Sequence, residues 1–181
     1  MKDKKEIYQL ISRYKDGSID EIDFSDDYYI LYVMNKGYWS NASILKKREL
    51  ICFNKLSEIT VKLDSFSGEK LDYAQTYDTK QNLKELITQV DRELSLYYLL
   101  YQFISGTLAV PEFCDKYYLI YDLNDNSIWK FTPDELMVLN KLSEVAGRYS
   151  QYEEDHKAYP KAYTSDKDVN EFAIMAYNIL E

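Results

Sequence analysis

Turn-forming residues are scarce in this chain: 5 glycines and 3 prolines among 181 residues. That argues against a β-sandwich or barrel of many short, turn-linked strands. Cysteine is scarcer still. Cys52 and Cys114 read as small buried hydrophobes in a reducing compartment, not as a disulfide. The lone histidine, His156, supplies too few ligands for a zinc site. No phosphate-binding glycine loop, dinucleotide fingerprint or nucleophile motif occurs. The expectation is a protein with no catalytic residues, no cofactor and no metal, and hence not an enzyme.

Positive charge is also short. Lys and Arg number 22 against 31 Asp and Glu, a formal net charge of −9. Nucleic acid and anionic membrane both need a positive surface, so neither is expected as a partner. A basic protein suits this charge. The opening MKDKKEIYQLISRYK has no apolar run of signal-peptide length, and no later stretch is long enough to span a bilayer. A cytoplasmic location is expected.

What the chain does have is 46% hydrophobic residues, 19 tyrosines among them, and an internal repeat. Tyrosine suits a thin core, where the ring is buried and the hydroxyl stays polar. IYQLISRYKDGSIDEIDFSDDYYILY from Ile7 aligns with LYYLLYQFISGTLAVPEFCDKYYLIY from Leu96 at an offset of 89. Tyr8, Leu10, Gly17, Phe24, Asp26, Tyr28, Tyr29 and Tyr32 each recur. The offset then falls to 86, which implies a longer connection in the first copy. There Asn54-Lys55-Leu56-Ser57-Glu58 recurs unchanged as Asn140-Lys141-Leu142-Ser143-Glu144. Tyr73, Tyr77 and Leu94 match Tyr159, Tyr163 and Leu180.

Each copy of about 87 residues predicts four helices. The first carries the stripe Ile7, Leu10, Ile11 and Tyr14, or Leu96, Leu99, Leu100 and Phe103, and ends at Gly17 or Gly106. The second carries Phe24, Tyr28 and Leu31, or Phe113, Tyr117 and Ile120, and starts near Pro111 in the second copy. In each Tyr-Tyr pair, one ring is expected in the core and one at the surface. Thr132-Pro133-Asp134-Glu135 is a capping box opening the third helix of the second copy; Lys46-Lys47-Arg48 implies a different cap in the first. Thr79 and Ser165 are candidate N-caps of the fourth helix. Its stripe is Leu83, Leu86, Ile87, Val90 and Leu94, or Val169, Phe172, Ala173, Ala176 and Leu180. No helix breaker occurs from Lys80 to Ser105, which allows one copy's last helix to run into the other's first. The fold expected is all-α: two tandem antiparallel four-helix bundles related by internal duplication, 1–94 and 95–181, with room for one long central helix.

Two polar clusters have ordinary explanations. Asp122, Asn124, Asp125 and Asn126 lack the glycine and terminal glutamate of a calcium loop, and read as an interhelical turn. His156 lies in Glu153-Glu154-Asp155-His156-Lys157, read as a solvated charged loop. Charge, by contrast, divides the copies. Residues 1–90 hold 14 basic and 15 acidic side chains, a net of −1, and residues 91–181 hold 8 and 16, a net of −8.

Across residues 96–181, FISGTLAVPEF, FTPDELMVLNKLSEVAGRYSQYEED and AYTSDKDVNEFAIMAYNIL resemble the colicin D-type self-protective immunity proteins. The resemblance lies in the order of parts. Glu112-Phe113 is the E-F pair, Thr132-Pro133 the capped start, Arg148-Tyr149 the arginine–aromatic pair and Glu153-Glu154-Asp155 the acidic turn. Gly147 stands where that family has an acidic residue, and residues 61–68 of the first copy carry neither pair nor turn. The resemblance implies a four-helix inhibitor that blocks the basic active-site cleft of a tRNA-cleaving toxin with carboxylates. It nominates Glu144, Arg148, Tyr149, Glu153, Glu154 and Asp155 as toxin-binding residues and a basic toxin nuclease domain as partner. The alternative is a non-catalytic helical scaffold or protein-interaction module.

Overall fold

A computed structural model describes residues 3–41, 44–66, 73–123 and 130–181, side chains at 64–66 and 73–76 excepted. The described chain is helical and contains no strand; one isolated bridge joins Tyr149 and Thr164. It divides into two compact units, Met1–Asp91 and Arg92–Glu181.

In the first unit, α1 (Lys5–Lys15) and α2 (Glu21–Leu31) precede a 3₁₀ turn at Val33–Asn35 and the short α3 (Lys36–Trp39). Then comes α4 (Lys47–Phe66). The longer connection thus contains structure of its own. Trp39 is buried there, and its ring N–H donates to the Leu31 carbonyl at 2.9 Å. One helix, α5 (Tyr73–Ile104), extends through the stretch that lacks a breaker. Thr79, expected as an N-cap, lies inside it. A capping side chain acts only where the backbone turns, and 73–79 contains neither Gly nor Pro to turn it.

The second unit continues with α6 (Val110–Tyr117), a π-helical turn at Tyr118–Asp122, α7 (Pro133–Ala146), α8 (Glu153–Ala158) and α9 (Asp166–Leu180). Its core joins Leu96, Leu99, Leu100 and Phe103 of α5 to Phe113 and Tyr117, Leu139 and Leu142, and Val169, Ala173 and Leu180. The capping box expected at Thr132 with Glu135 forms, and Ser165, expected as an N-cap, forms a second box with Asp168. In the first unit Glu49 reaches back to the Lys46 N–H at 2.7 Å, as Glu135 does to the Thr132 N–H at 2.7 Å. Lysine offers no oxygen to complete the box. The buried Glu49 carboxylate is instead engaged by the Tyr8 hydroxyl at 2.7 Å and the Lys4 ammonium at 3.0 Å.

Residues at matching offsets do matching work. Gly17 and Gly106 end α1 and α5 with φ of 78° and 75°, a region that disfavours a Cβ. The Tyr28 hydroxyl donates to the Phe53 carbonyl at 2.7 Å, and the Tyr117 hydroxyl to the Leu139 carbonyl at 2.9 Å. Tyr32 donates to Asn54 Oδ1 at 3.0 Å, and Tyr121 to Asn140 Oδ1 at 2.8 Å. The second-helix stripe expected through Leu31 and Ile120 therefore shifts by one residue. Those two are half-buried, whereas Tyr32 and Tyr121 are buried. A hydroxyl that finds an amide partner across the core can be buried at little cost. In each Tyr-Tyr pair, Tyr28 and Tyr117 are the core rings; Tyr29 is half-buried and Tyr118 is exposed. The turn expected at Asp122–Asn126 lies largely outside the described residues.

Removing either core hydroxyl deletes the second hydrogen bond to a buried helix carbonyl that keeps its own backbone donor four residues on. Tyr28→Phe and Tyr117→Phe are each expected to cost about 0.5–1.5 kcal/mol, measured by urea unfolding. A near-zero cost for one alone would break the correspondence between the halves.

Burial pushes Tyr28 and Tyr117 well above the ordinary tyrosine value of 10.0, and Tyr32 and Tyr121 to about 12. Asp122 adds to the rise at Tyr121. Above pH 10 the unfolded chain ionises these tyrosines while the fold keeps them protonated. The native state then binds more protons, so stability is whole below pH 10 and is lost as pH rises toward 12. The melting temperature is expected to fall steeply in that window, and Tyr32→Phe with Tyr121→Phe should flatten the fall. An unchanged slope in the double variant would exclude those hydroxyls as the cause.

Candidate functional site: an acidic groove rimmed by tyrosine

Helix α7 stops at Ala146. Its counterpart at offset 86, Thr60, lies inside α4, which continues to Phe66. After Ala146 come Gly147, which is more weakly helix-forming than the Val61 matching it, and a bonded excursion leading to α9. The Thr164 N–H donates to the Arg148 carbonyl at 2.9 Å, and the Thr164 hydroxyl to the Val145 carbonyl at 2.6 Å. The Arg148 guanidinium donates to the carbonyls of Ala162 and Lys161. The exposed arginine of the arginine–aromatic pair therefore braces this excursion along its surface.

The acidic run is a helix, not a turn or an open loop. Glu153, Glu154 and Asp155 form the first turn of α8, where carboxylates oppose the exposed N–H dipoles, and Lys157 pairs with Glu153 at 3.2 Å. Asp155 accepts the Ser150 hydroxyl at 2.6 Å. His156 is half-buried, and its Nε2 donates to the Ser150 carbonyl at 2.8 Å. The expected solvated histidine loop is thus corrected: its ring is a strut. Among the described residues no group of three or more His, Cys, Asp or Glu could hold a metal ion.

Between α6 with its π turn and this excursion lies a groove of about 610 Å³. Asp115, Asp122 and Asp155 line it, as do Tyr118, Tyr149, Tyr152 and Tyr163, and none of its described lining residues is Lys or Arg. Asp122 also accepts the Ser143 hydroxyl at 2.6 Å, which fixes it at the mouth of α7. Burial, with Asp115 and Asp166 nearby, pushes the Cys114 thiol up to about 12. Burial and a hydrogen bond to Asp166 push Tyr149 up to about 12. Both shifts report surroundings that resist further negative charge.

Of the six nominated residues, Tyr149 and Asp155 line the groove. Glu153 and Glu154 are exposed on α8. Glu144 is exposed on α7, where Lys141 bonds it at 2.7 Å and holds its carboxyl below the usual range. The sequence alone does not nominate Asp115, Asp122 or Tyr118 for binding: it assigns Asp122 to an interhelical turn and one ring of the Tyr117-Tyr118 pair to the surface. The signal at Asp115 is the duplicated pair Asp26 and Asp115 at exposed positions, which a core does not require.

No described helix is long and apolar enough to cross a membrane. In comparisons with known proteins, no family model, no curated sequence and no solved structure matches the chain.

Proposed function

We propose that the chain is an immunity protein: it binds and neutralises a bacterial toxin, catalyses nothing, and acts in the cytoplasm. The second unit makes the contact, and the toxin is a basic nuclease of the colicin D type that cleaves tRNA. One observation carries this reading. Glu153, Glu154 and Asp155 form the first turn of a braced helix beside a groove whose described lining holds three aspartates and no lysine or arginine. A cleft built for phosphate is lined with cations, and carboxylates pair with those cations through charge-assisted hydrogen bonds. Opposite fields also speed encounter. The net of −8 against −1 agrees, as does the resemblance of residues 96–181 to the immunity family. Tandem duplication of one bundle accounts for the shared hydrogen bonds of the two halves. The first unit, nearly neutral, keeps the architecture without the acidic helix.

The test is capture of partners from the source cell with the full chain as bait, followed by a nuclease assay on the captured protein. The expected partner is basic, cleaves tRNA and is inhibited at equimolar chain, and cells expressing the chain survive it. Capture of partners with no toxic activity, or survival independent of the chain, would overturn immunity in favour of a helical scaffold.

A further inference from the structure

We propose that the groove of the second unit is a receptor for one arginine side chain of a basic protein, its guanidinium flat against the tyrosine rings and bonded to the groove carboxylates. This deepens the reading above and rests on its choice of a basic partner.

Space comes first. A groove of about 610 Å³ falls within the usual size of a specific binding pocket. Charge comes next. Among its described lining residues are three carboxylates and no lysine or arginine, so charge complementarity favours a positive occupant. Asp155 and Asp122 each have one oxygen engaged by a serine hydroxyl. Asp115 is exposed and has no hydrogen-bond or ion-pair partner among the described residues. The rings select among cations. Tyr118 and Tyr152 are 51% and 59% exposed, and neither ring stacks on another or donates its hydroxyl among the described residues. A guanidinium is planar and weakly hydrated, so it stacks on such rings while its edge bonds a carboxylate in a fork. An ammonium is a strongly hydrated point charge and gains less from both.

The first unit differs at two of these positions. Val33 and Leu63 stand where Asp122 and Tyr149 do, and its described pocket is lined by Lys15 and Lys84 beside Glu21. Asp115 and Tyr118 recur as Asp26 and Tyr29, so the duplicates share part of this set and differ at Asp122 and Tyr149.

The experiment uses the full chain and three blocked amino acids as probes: the amides of N-acetyl-arginine, N-acetyl-lysine and N-acetyl-citrulline. Chemical shifts of Tyr118, Tyr149 and Tyr152 are followed by NMR. The arginine probe is expected to bind saturably at about millimolar strength, as suits one side chain. Lysine should bind several-fold more weakly, and citrulline, the neutral isostere, not at all. Asp115→Asn and Tyr118→Leu should each weaken the arginine probe about tenfold, while Tyr118→Phe, which keeps the ring, should not. Both positions are exposed, so the helical circular dichroism of all three variants should be unchanged. No saturable shift at the groove, equal binding of lysine, or indifference to both substitutions would overturn the receptor. A chain that binds the arginine probe yet neutralises no toxin keeps the receptor and loses the immunity reading. A chain that neutralises a toxin with its groove silent to the probe loses the receptor alone.

Discussion

Replacing Glu153, Glu154 and Asp155 with the corresponding amides is expected to weaken toxin binding at least a hundredfold and abolish protection of living cells. Carboxylates paired with cations in a desolvated interface contribute about 2–5 kcal/mol each when one partner is removed. Loss of one such pair is worth about thirtyfold or more, and loss of two exceeds the stated change. Folding should barely notice. The Glu153 side chain is 82% exposed, and its pair with Lys157 at 3.2 Å is of the surface kind that contributes at most about 1 kcal/mol. Asp155 is the one exception, since it anchors Ser150. The pair Glu153→Gln with Glu154→Gln should therefore leave the melting temperature unmoved, and the triple should lower it slightly. Asp26→Asn, the counterpart of Asp115 in the first unit, is the control and should leave binding intact. Added salt should mainly slow association. A triple variant that still protects cells while the Asp26 variant fails would assign the surface to the other half.

Phe113→Ala is expected to cost about 3–5 kcal/mol, the largest loss of stability from any single side chain considered. Phe113 is fully buried and stacks on Phe103 with ring centroids 4.1 Å apart. It also meets Tyr117 at 5.7 Å, so its removal empties the middle of an aromatic row that α5 and α6 share. A domain of ordinary stability has about 5–15 kcal/mol in total, so most of the second unit's margin would go. Hydrogen exchange should show α6, α7 and α9 losing protection, and urea unfolding should shift to much lower concentration. Phe24→Ala should do the same to α1, α2 and α4, because Phe24 is equally buried and packs on Tyr14 and Tyr28. A cost below about 1 kcal/mol at either position would mean the cavity refills from its neighbours.

These two predictions draw on different layers of the molecule. The core is addressed mostly by residues that recur at a fixed offset, and the binding face only in part: Asp115 and Tyr118 recur as Asp26 and Tyr29, whereas Asp122 and Tyr149 do not. Cys52 and Cys114 are core positions that do not recur. Both are free and buried, and their counterparts are Val138 and Ser25. Neither position requires sulfur for packing.

Local order was legible in the chain because its signals are local. Gly17 and Gly106 end helices by their freedom at positive φ, and Thr132 with Glu135 starts one by satisfying N–H groups three residues apart. The stripes Leu96–Phe103 and Val169–Leu180 identify buried faces because helical period converts spacing into direction. The all-helical class and the continuity of α5 follow from the same short-range rules. What those rules cannot supply is the partner of a polar atom. Tyr32 and Tyr121 replaced Leu31 and Ile120 in the core only because Asn54 and Asn140 wait across it, on a helix about 20 residues away in sequence. Arg148 stays at the surface but bonds the carbonyls of Lys161 and Ala162, and His156, half-buried, bonds that of Ser150. The groove depended most on tertiary structure. Asp115 and Tyr118 come from α6 and its π turn, Tyr149 and Asp155 from the excursion after α7, and only packing sets them side by side. Spacing within one helix predicts a face; a site drawn from separate elements is decided by how their buried faces fit together.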